Sequence, residues 1–350
     1  MATSYQSAVN RGPKHVMAAA TAALFFFVAQ STAQVSPNAA VAGLTPEFVD
    51  AGGVLTRYYD YGDGEAIVMV HGGGRGTTSS ANNFSKNIRG LAERFRAIAV
   101  DKLGAGMTGN PLEDRDLTNE ELGNHLYDFV QALNLSQVHL VGHSSGNAAV
   151  LQMAAIHPEV VKTVTFVAHG GVTTHATEGP YMHDLREEAT CAEPQTTYTG
   201  RKCRLELLGH TPTTFDEEFL LADKWMADQP KSAEMRERVA AARARSQRGQ
   251  PQAPGLSRQE LAARLQMPIL YYTAKQDTLS WDADDPHAMM RDELNFFDTL
   301  GRDNPKVKMI LINEAGHFPY RDHPEQFNAD LMHFIDFWNN NPQLLQNDSR

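Results

Sequence analysis

The chain has 350 residues, of which 21% are charged and 42% hydrophobic, and 42 acidic side chains stand against 31 basic ones for a formal charge of −11. This is ordinary globular composition, with length for one large domain or one domain carrying an insertion. The acidic surplus and the lack of a basic run exclude nucleic acid and anionic membrane as natural partners and leave a small molecule.

The first 33 residues read differently from the rest. Arg11, Lys14 and His15 flank an apolar run from Val16 to Ala29, and Ser31-Thr32-Ala33 follows with small side chains. This is the pattern of a secretory signal cleaved near Ala33, and the run is short of the ~20 residues a membrane span needs. A secreted or periplasmic protein with no stable membrane insertion is expected. Cys191 and Cys203 are the two cysteines, twelve positions apart. In an exported chain such a pair is compatible with a disulfide; two free thiols are the alternative, and the spacing matches no zinc pattern.

From Phe48 to Tyr61, short β-type runs surround Gly52-Gly53 and predict a hairpin. Ala66–Val70 is a continuous apolar run, as in a buried parallel strand, and runs at once into His71-Gly72-Gly73-Gly74-Arg75-Gly76. A phosphate loop is the competing reading of these glycines, but the Gly-Lys-Ser/Thr ending is missing. Asn83 to Phe95 predicts a helix, Arg96–Val100 a strand, and Asp101 then opens a Gly-x-Gly loop. Leu117 to Leu133 has helical spacing, with Thr118 and Glu121 placed for a capping box. Val138–Val141 and Val160–Ala168 predict strands around an Ala-rich helix ending near Ile156. The rhythm breaks between 170 and 265, where Phe215 to Ala227 and Ser232 to Ala244 predict helices and Gln247 to Gly255 a loop. Pro268–Thr273 and Lys306–Ile312 resume the strands, and Glu325 to Trp338 predicts a final amphipathic helix. Alternating strands and helices imply an α/β fold with a doubly wound, mostly parallel sheet. The expected organisation is a signal over 1–33, a core over 34–169 and 266–350, and an inserted helical lid over 170–265.

The chemistry centres on Gly142-His143-Ser144-Ser145-Gly146, set between a strand and a helix. A Gly-x-Ser-x-Gly at such a turn lifts the serine hydroxyl clear of the backbone and aims the next N–H, that of Ser145, at the same space. Ser144 is the candidate nucleophile. A base and an orienting acid are then needed at the ends of later strands. His317 follows the Lys306–Ile312 run and Asp277 follows the Pro268–Thr273 run. Asp101 is the rival for the acid, though it reads better as a loop organiser, and neither His71 nor His143 reads as the base. His169 and His175 stand at the start of the lid, as pocket or surface residues. Asp282, Asp284 and Asp285 read as a solvated acidic loop, since an EF-hand's Gly and terminal Glu are absent. No metal or organic cofactor is expected.

The order Ser144, Asp277, His317, with His71-Gly72-Gly73-Gly74, the Asp101 loop and Gly316-His317, resembles the α/β-hydrolase superfamily from about Val54 to Trp338. The resemblance implies Gly73 N–H as the second oxyanion donor beside Ser145. A narrower stretch, Gly72–Gly76 followed by Asn83-Phe84-Ser85-Lys86-Asn87, is similar to the hydrolases that cleave carbon–carbon bonds in meta-ring-fission products. That likeness implies substrate contacts at Asn83 and at the lid pair Lys224-Trp225, where Lys stands for the family's Arg. Gly74, His143 and Phe318 join them as pocket residues; Phe318 stands in place of the family's Trp, and Arg75 in place of its loop proline. From the sequence the favoured reaction is ester cleavage. Carbon–carbon cleavage of a vinylogous diketone-type acid comes second and aminopeptidase action third, and a ligand-binding relative of the fold is the non-catalytic alternative.

Overall fold

The computed structural model describes residues 39–112, 117–168, 190–248, 255–277 and 288–345. The expected signal over 1–33, His169, His175 and the acidic loop at Asp282, Asp284 and Asp285 lie outside the described residues.

Eight strands form one sheet: β1 Glu47–Ala51, β2 Val54–Tyr61, β3 Ala66–Val70, β4 Arg96–Val100, β5 Val138–His143, β6 Val161–Val167, β7 Ile269–Ala274 and β8 Val307–Ile312. Their spatial order is β1-β2-β4-β3-β5-β6-β7-β8. The first two strands run antiparallel to their neighbours, and every pairing from β4 through β8 is parallel. The β1–β2 turn has two residues, Gly52 and Gly53, at φ +61° and +86°. Positive φ at both positions suits the twist of the flanking strands, and glycine adopts it without strain.

The central strands read as unbroken apolar runs because both faces of the sheet are covered. Val68, Val70, Ile98 and Val100 pack into one core; Ile67, Met69, Ala97 and Ala99 pack into the other. Helices α2 Asn119–Ala132 and α3 Gly146–Ile156 cover the first face, with Leu126, Phe129, Val150 and Met153 buried there. The Thr118 hydroxyl caps α2 by accepting from Glu121 N–H. The C-terminal helix, Pro324–Asn340, buries Phe327, Leu331, Phe334 and Ile335 against the second face, the stripe its spacing predicts.

The helix expected from Asn83 to Phe95 is broken. A 3-10 turn covers Ala81–Phe84 and only one α-turn, α1 Ile88–Leu91, follows. Buried amides compete with helix continuation here. Asn82 Oδ1 accepts from Arg57 and Tyr59, and Asn87 Nδ2 donates to Tyr320 O and Asn328 Oδ1.

Between β6 and β7 the described regular elements are helices: α4 Tyr198–Leu208, α5 Glu217–Ala227, α6 Pro230–Gln247 and α7 Arg258–Ala262. Thr197 caps α4, Asp216 caps α5, and Ser257 with Glu260 forms a full capping box on α7. Cys191 and Cys203 are disulfide-bonded, tying the segment before α4 to that helix. A helix over Ala288–Gly301, α8, precedes β8.

Candidate active site

At the end of β5 the chain reverses into α3 within two residues. Ser144 sits at the reversal with φ +51°, a left-handed conformation costing a non-glycine residue about 1–3 kcal/mol. Backbone bonds hold it there: Ser144 N donates to Val167 O at 3.0 Å, and Ser144 O accepts from Asn147 N at 2.9 Å. The flanking glycines are required by crowding. A Cβ on Gly146 would lie 2.5 Å from the carbonyl oxygens of Val70 and His71, and one on Gly142 would lie 2.5 Å from Asn147 Oδ1.

Three residues past β7 and five past β8, Asp277 and His317 meet. His317 Nδ1 donates to Asp277 Oδ2 at 2.8 Å, with both side chains nearly or fully buried. The tautomer with a proton on Nδ1 leaves Nε2 with a lone pair. The backbone around the ring is clamped: His317 N donates to Leu208 O at 2.9 Å, and Gly316 N donates to Asp322 Oδ2 at 2.9 Å.

His143 supports this arrangement from behind. Burial holds its pKa well below the ordinary histidine value, so the ring is neutral. Its Nε2–H donates to His317 O at 2.7 Å, and its Nδ1 accepts from Tyr320 OH at 3.2 Å. The sequence offered no signal for Tyr320, because its partner lies 177 positions away.

The glycine loop after β3 packs beside the serine turn. His71, also kept neutral by burial, donates from Nδ1 to Gly72 O at 2.7 Å and accepts from Lys102 N at 3.0 Å. Ser145 Oγ donates to Gly73 O at 2.5 Å, which brings the two expected oxyanion residues together. Gly73 has φ +74°. Ser145 is the N-cap of α3, so its peptide stands at the positive end of that helix.

Asp101 is engaged elsewhere. It pairs with Arg57 at 3.1 Å, both fully buried, and accepts from the N–H groups of Ala81 and Met107 at 2.7 Å each. It organises the loop after β4 and has no hydrogen bond to His317 among those described.

Around Ser144, His143 and His317 opens a cavity of about 770 Å³. Gly73, Gly74 and Phe318 line it. Three expected pocket residues do not. Asn83 is buried under the site, with its carbonyl accepting from Arg321 Nη1 at 2.9 Å. Lys224 points along its own helix and pairs with Asp228, one turn on. Trp225 packs against a small cluster of Ala39, Val41, Ala222 and Met226. A pair adjacent on a helix points about 100° apart, and the packing of α5 turned both side chains away from the cavity.

Four arginines stand on the cavity wall in their place: Arg75, Arg201, Arg204 and Arg243, facing one acidic lining residue, Glu193. Arg201 is buried and held by Asp223 at 2.7 Å, with a second bond to Ser79 Oγ at 3.3 Å. Arg75 donates to the carbonyls of Leu117 and Thr118. Desolvation pulls its pKa down to about 10, so it stays charged. No motif announced these residues; Arg201 and Arg204 are three apart on α4, and the other two come from distant segments. Among the described residues no group of three or more His, Cys, Asp or Glu side chains is arranged to hold a metal ion. No described helix is long and apolar enough to cross a membrane.

The chain is similar to known hydrolases in sequence and in fold. A 2-hydroxy-6-oxo-6-(2'-aminophenyl)hexa-2,4-dienoic acid hydrolase of Metapseudomonas resinovorans is 38% identical over 132 residues, 37% of this chain and 44% of the relative. The chain thus spans less than half of that relative's length. A 2-hydroxy-6-oxo-6-phenylhexa-2,4-dienoate hydrolase of Comamonas testosteroni is 26% identical over 291 residues, 82% of this chain and 93% of the relative. Among solved structures, a serine hydrolase involved in carbazole degradation superposes with a TM-score of 0.65 at 25% identity, covering 84% of this chain and 99% of that one. The alpha/beta hydrolase fold family model matches residues 65–324, and with the sheet order, the strained serine turn and the His317–Asp277 pair, the chain belongs to that family.

Proposed function

We propose that this protein is a serine hydrolase that cleaves the carbon–carbon bond beside a carbonyl in an anionic, vinylogous diketone-type acid of the meta-ring-fission kind. The observation that carries this reading is the wall of four arginines around Ser144 and His317. A neutral ester gives that wall nothing to bind, whereas a carboxylate does. The dienoate hydrolases among the relatives support the same shift away from the ester reading that the sequence favoured.

Ser144 attacks the carbonyl carbon while His317 Nε2 takes its proton. Asp277 holds the ring in the required tautomer and stabilises the imidazolium. The N–H groups of Gly73 and Ser145 receive the oxyanion. The substrate reacts as its keto tautomer, so collapse of the tetrahedral centre breaks the carbon–carbon bond with its electron pair passing into the vinylogous carbonyl, and His317 gives its proton to the departing dienolate. Water, activated by the same histidine, then releases the acyl group from Ser144. None of these steps calls on a metal or an organic cofactor.

The test compares kcat/KM for 2-hydroxy-6-oxo-6-phenylhexa-2,4-dienoate, followed by loss of its dienolate absorbance, with that for neutral esters of graded acyl length. A preference for the dienoate supports the proposal. A higher value for the esters overturns it in favour of an esterase. Export is part of the proposal: the basic-flanked apolar leader supports it, and so does a disulfide, which persists in oxidising compartments. Fractionation of the native host for the processed chain tests it.

A further inference from the structure

Lys102 has no part in the chemistry above, yet it is buried directly against the oxyanion residues. It follows Asp101 at the end of β4 and is 5% exposed. Its Nζ donates to Gly73 O at 2.5 Å and to Ser145 Oγ at 2.9 Å, and Ser145 Oγ itself donates to Gly73 O. Its backbone N–H anchors His71, whose ring in turn holds Gly72 O. One residue therefore ties down both peptides that flank Gly73 and the N-cap residue of α3. A carbonyl and the N–H of the same peptide point in opposite directions. Fixing Gly72 O and Gly73 O accordingly fixes where the Gly73 and Gly74 N–H groups aim.

Among the described residues, the groups that face this lysine leave its charge uncompensated. His71 and His143 are both neutral through burial. Arg75, the neighbouring cation, is itself acted on by Glu121. Asp101 is committed to Arg57, and Lys231, beyond it, donates to the carbonyls of Ala105 and Gly106. Burial first, and then the Arg75 charge, lower the Lys102 pKa to about 7. An anion forming at the Gly73 and Ser145 N–H groups would be the counter-charge that no described residue gives this ammonium.

We propose that Lys102 is a positioning residue for the oxyanion pocket: its backbone N–H, through His71, aims the Gly73 N–H, while its ammonium holds Gly73 O and Ser145 Oγ and stabilises the negative charge that develops beside them. The proposal rests on the reading of Ser144 as nucleophile. The protonated form is the active one, so kcat falls on the alkaline side as Lys102 loses its proton.

The experiment measures pH profiles of kcat and KM for wild type, Lys102→Met and Lys102→Arg, with fluorophosphonate labelling of each protein. Loss of a direct oxyanion donor costs about 100- to 1,000-fold in kcat, and loss of a group that only aims the donors is expected to cost about 10- to 100-fold. Lys102→Met should lower kcat by that amount with KM little changed, and should abolish the alkaline limb. Lys102→Arg should keep most of the activity and carry the alkaline limb upward, because guanidinium stays charged. A merely structural lysine would move stability and leave the limb in place. An unchanged alkaline limb in either variant overturns the proposal; if the Met variant does not fold, the Arg variant decides alone. Failure of the probe to label Ser144 in wild type would instead overturn the nucleophile assignment.

Discussion

The serine turn and the arginine wall line one cavity and are built on opposite plans. In the turn, residues 138–146 are contiguous, and backbone hydrogen bonds and glycine contacts hold them. In the wall, Arg75, Arg201, Arg204 and Arg243 come from a loop and two helices and are held by side-chain pairing, as between Arg201 and Asp223, and by the Cys191–Cys203 bond. A reacting group needs sub-ångström placement, which short backbone geometry supplies. Substrate choice needs only a field of the right sign at the right distance, which separate side chains supply and can change independently.

Removing the turn's hydroxyl should give the largest effect. Ser144→Ala is expected to lower kcat on the order of a million-fold while circular dichroism and Tm stay near wild type. Retention of a tenth of the activity would refute the role.

Next comes the acid. Asp277→Asn should cost about 10,000-fold in kcat through the wrong histidine tautomer. Asp101→Asn should act on stability instead, because it leaves Arg57 buried without its counter-charge; disrupting such a pair costs about 3–5 kcal/mol. Denaturant melts beside kinetics separate the two, and the reverse outcome would make Asp101 the acid.

On the wall side, the disulfide is the stronger support. Replacing Cys191 and Cys203 by Ser should lower stability by about 3 kcal/mol on the chain-entropy estimate. Because Cys191 lines the cavity, KM should rise as well, with kcat at saturation nearly unchanged. Equal KM in both proteins would detach this segment from substrate binding.

The arginines themselves should show smaller, charge-selective effects. Arg204→Ala and Arg243→Ala are each expected to raise KM for the dienoate about tenfold, equivalent to ~1.4 kcal/mol, and to leave its neutral methyl ester almost unaffected. Lys224→Ala should change neither, since a surface pair with Asp228 is worth at most about 1 kcal/mol of stability. A strong Lys224 effect confined to the acid would return the carboxylate contact to that position.

Lys102 also gives a prediction about stability against pH. Its folded pKa of about 7 lies below that of a free lysine, so folding is penalised while the lysine must bury a charge. The penalty is full below about pH 7 and fades as pH rises towards the ordinary lysine value. Any stability advantage of Lys102→Met over wild type should therefore shrink across that window, as Tm differences would report.

The chain's local order determined a great deal. The alternating strands and helices, the two-glycine hairpin, the serine turn and the sequence positions of Asp277 and His317 are all short-range patterns. Hydrophobic period, glycine placement and loop length act over a few residues and need no partner. The broken helix after Asn83 escaped because its buried amides answer to Arg57, Tyr320 and Asn328, which the local pattern does not contain. The pocket wall escaped for the same reason on a larger scale. Helix periodicity says which residues share a face; which face meets the cavity was decided by how α4, α5 and α6 pack on the sheet. That packing turned Lys224 and Trp225 away from the cavity, and it brought Arg201, Arg204 and Arg243 to the site, while Asn83 is buried. It also set Lys102 beneath Gly73 and Ser145, a meeting of three chain segments that only the folded sheet brings together.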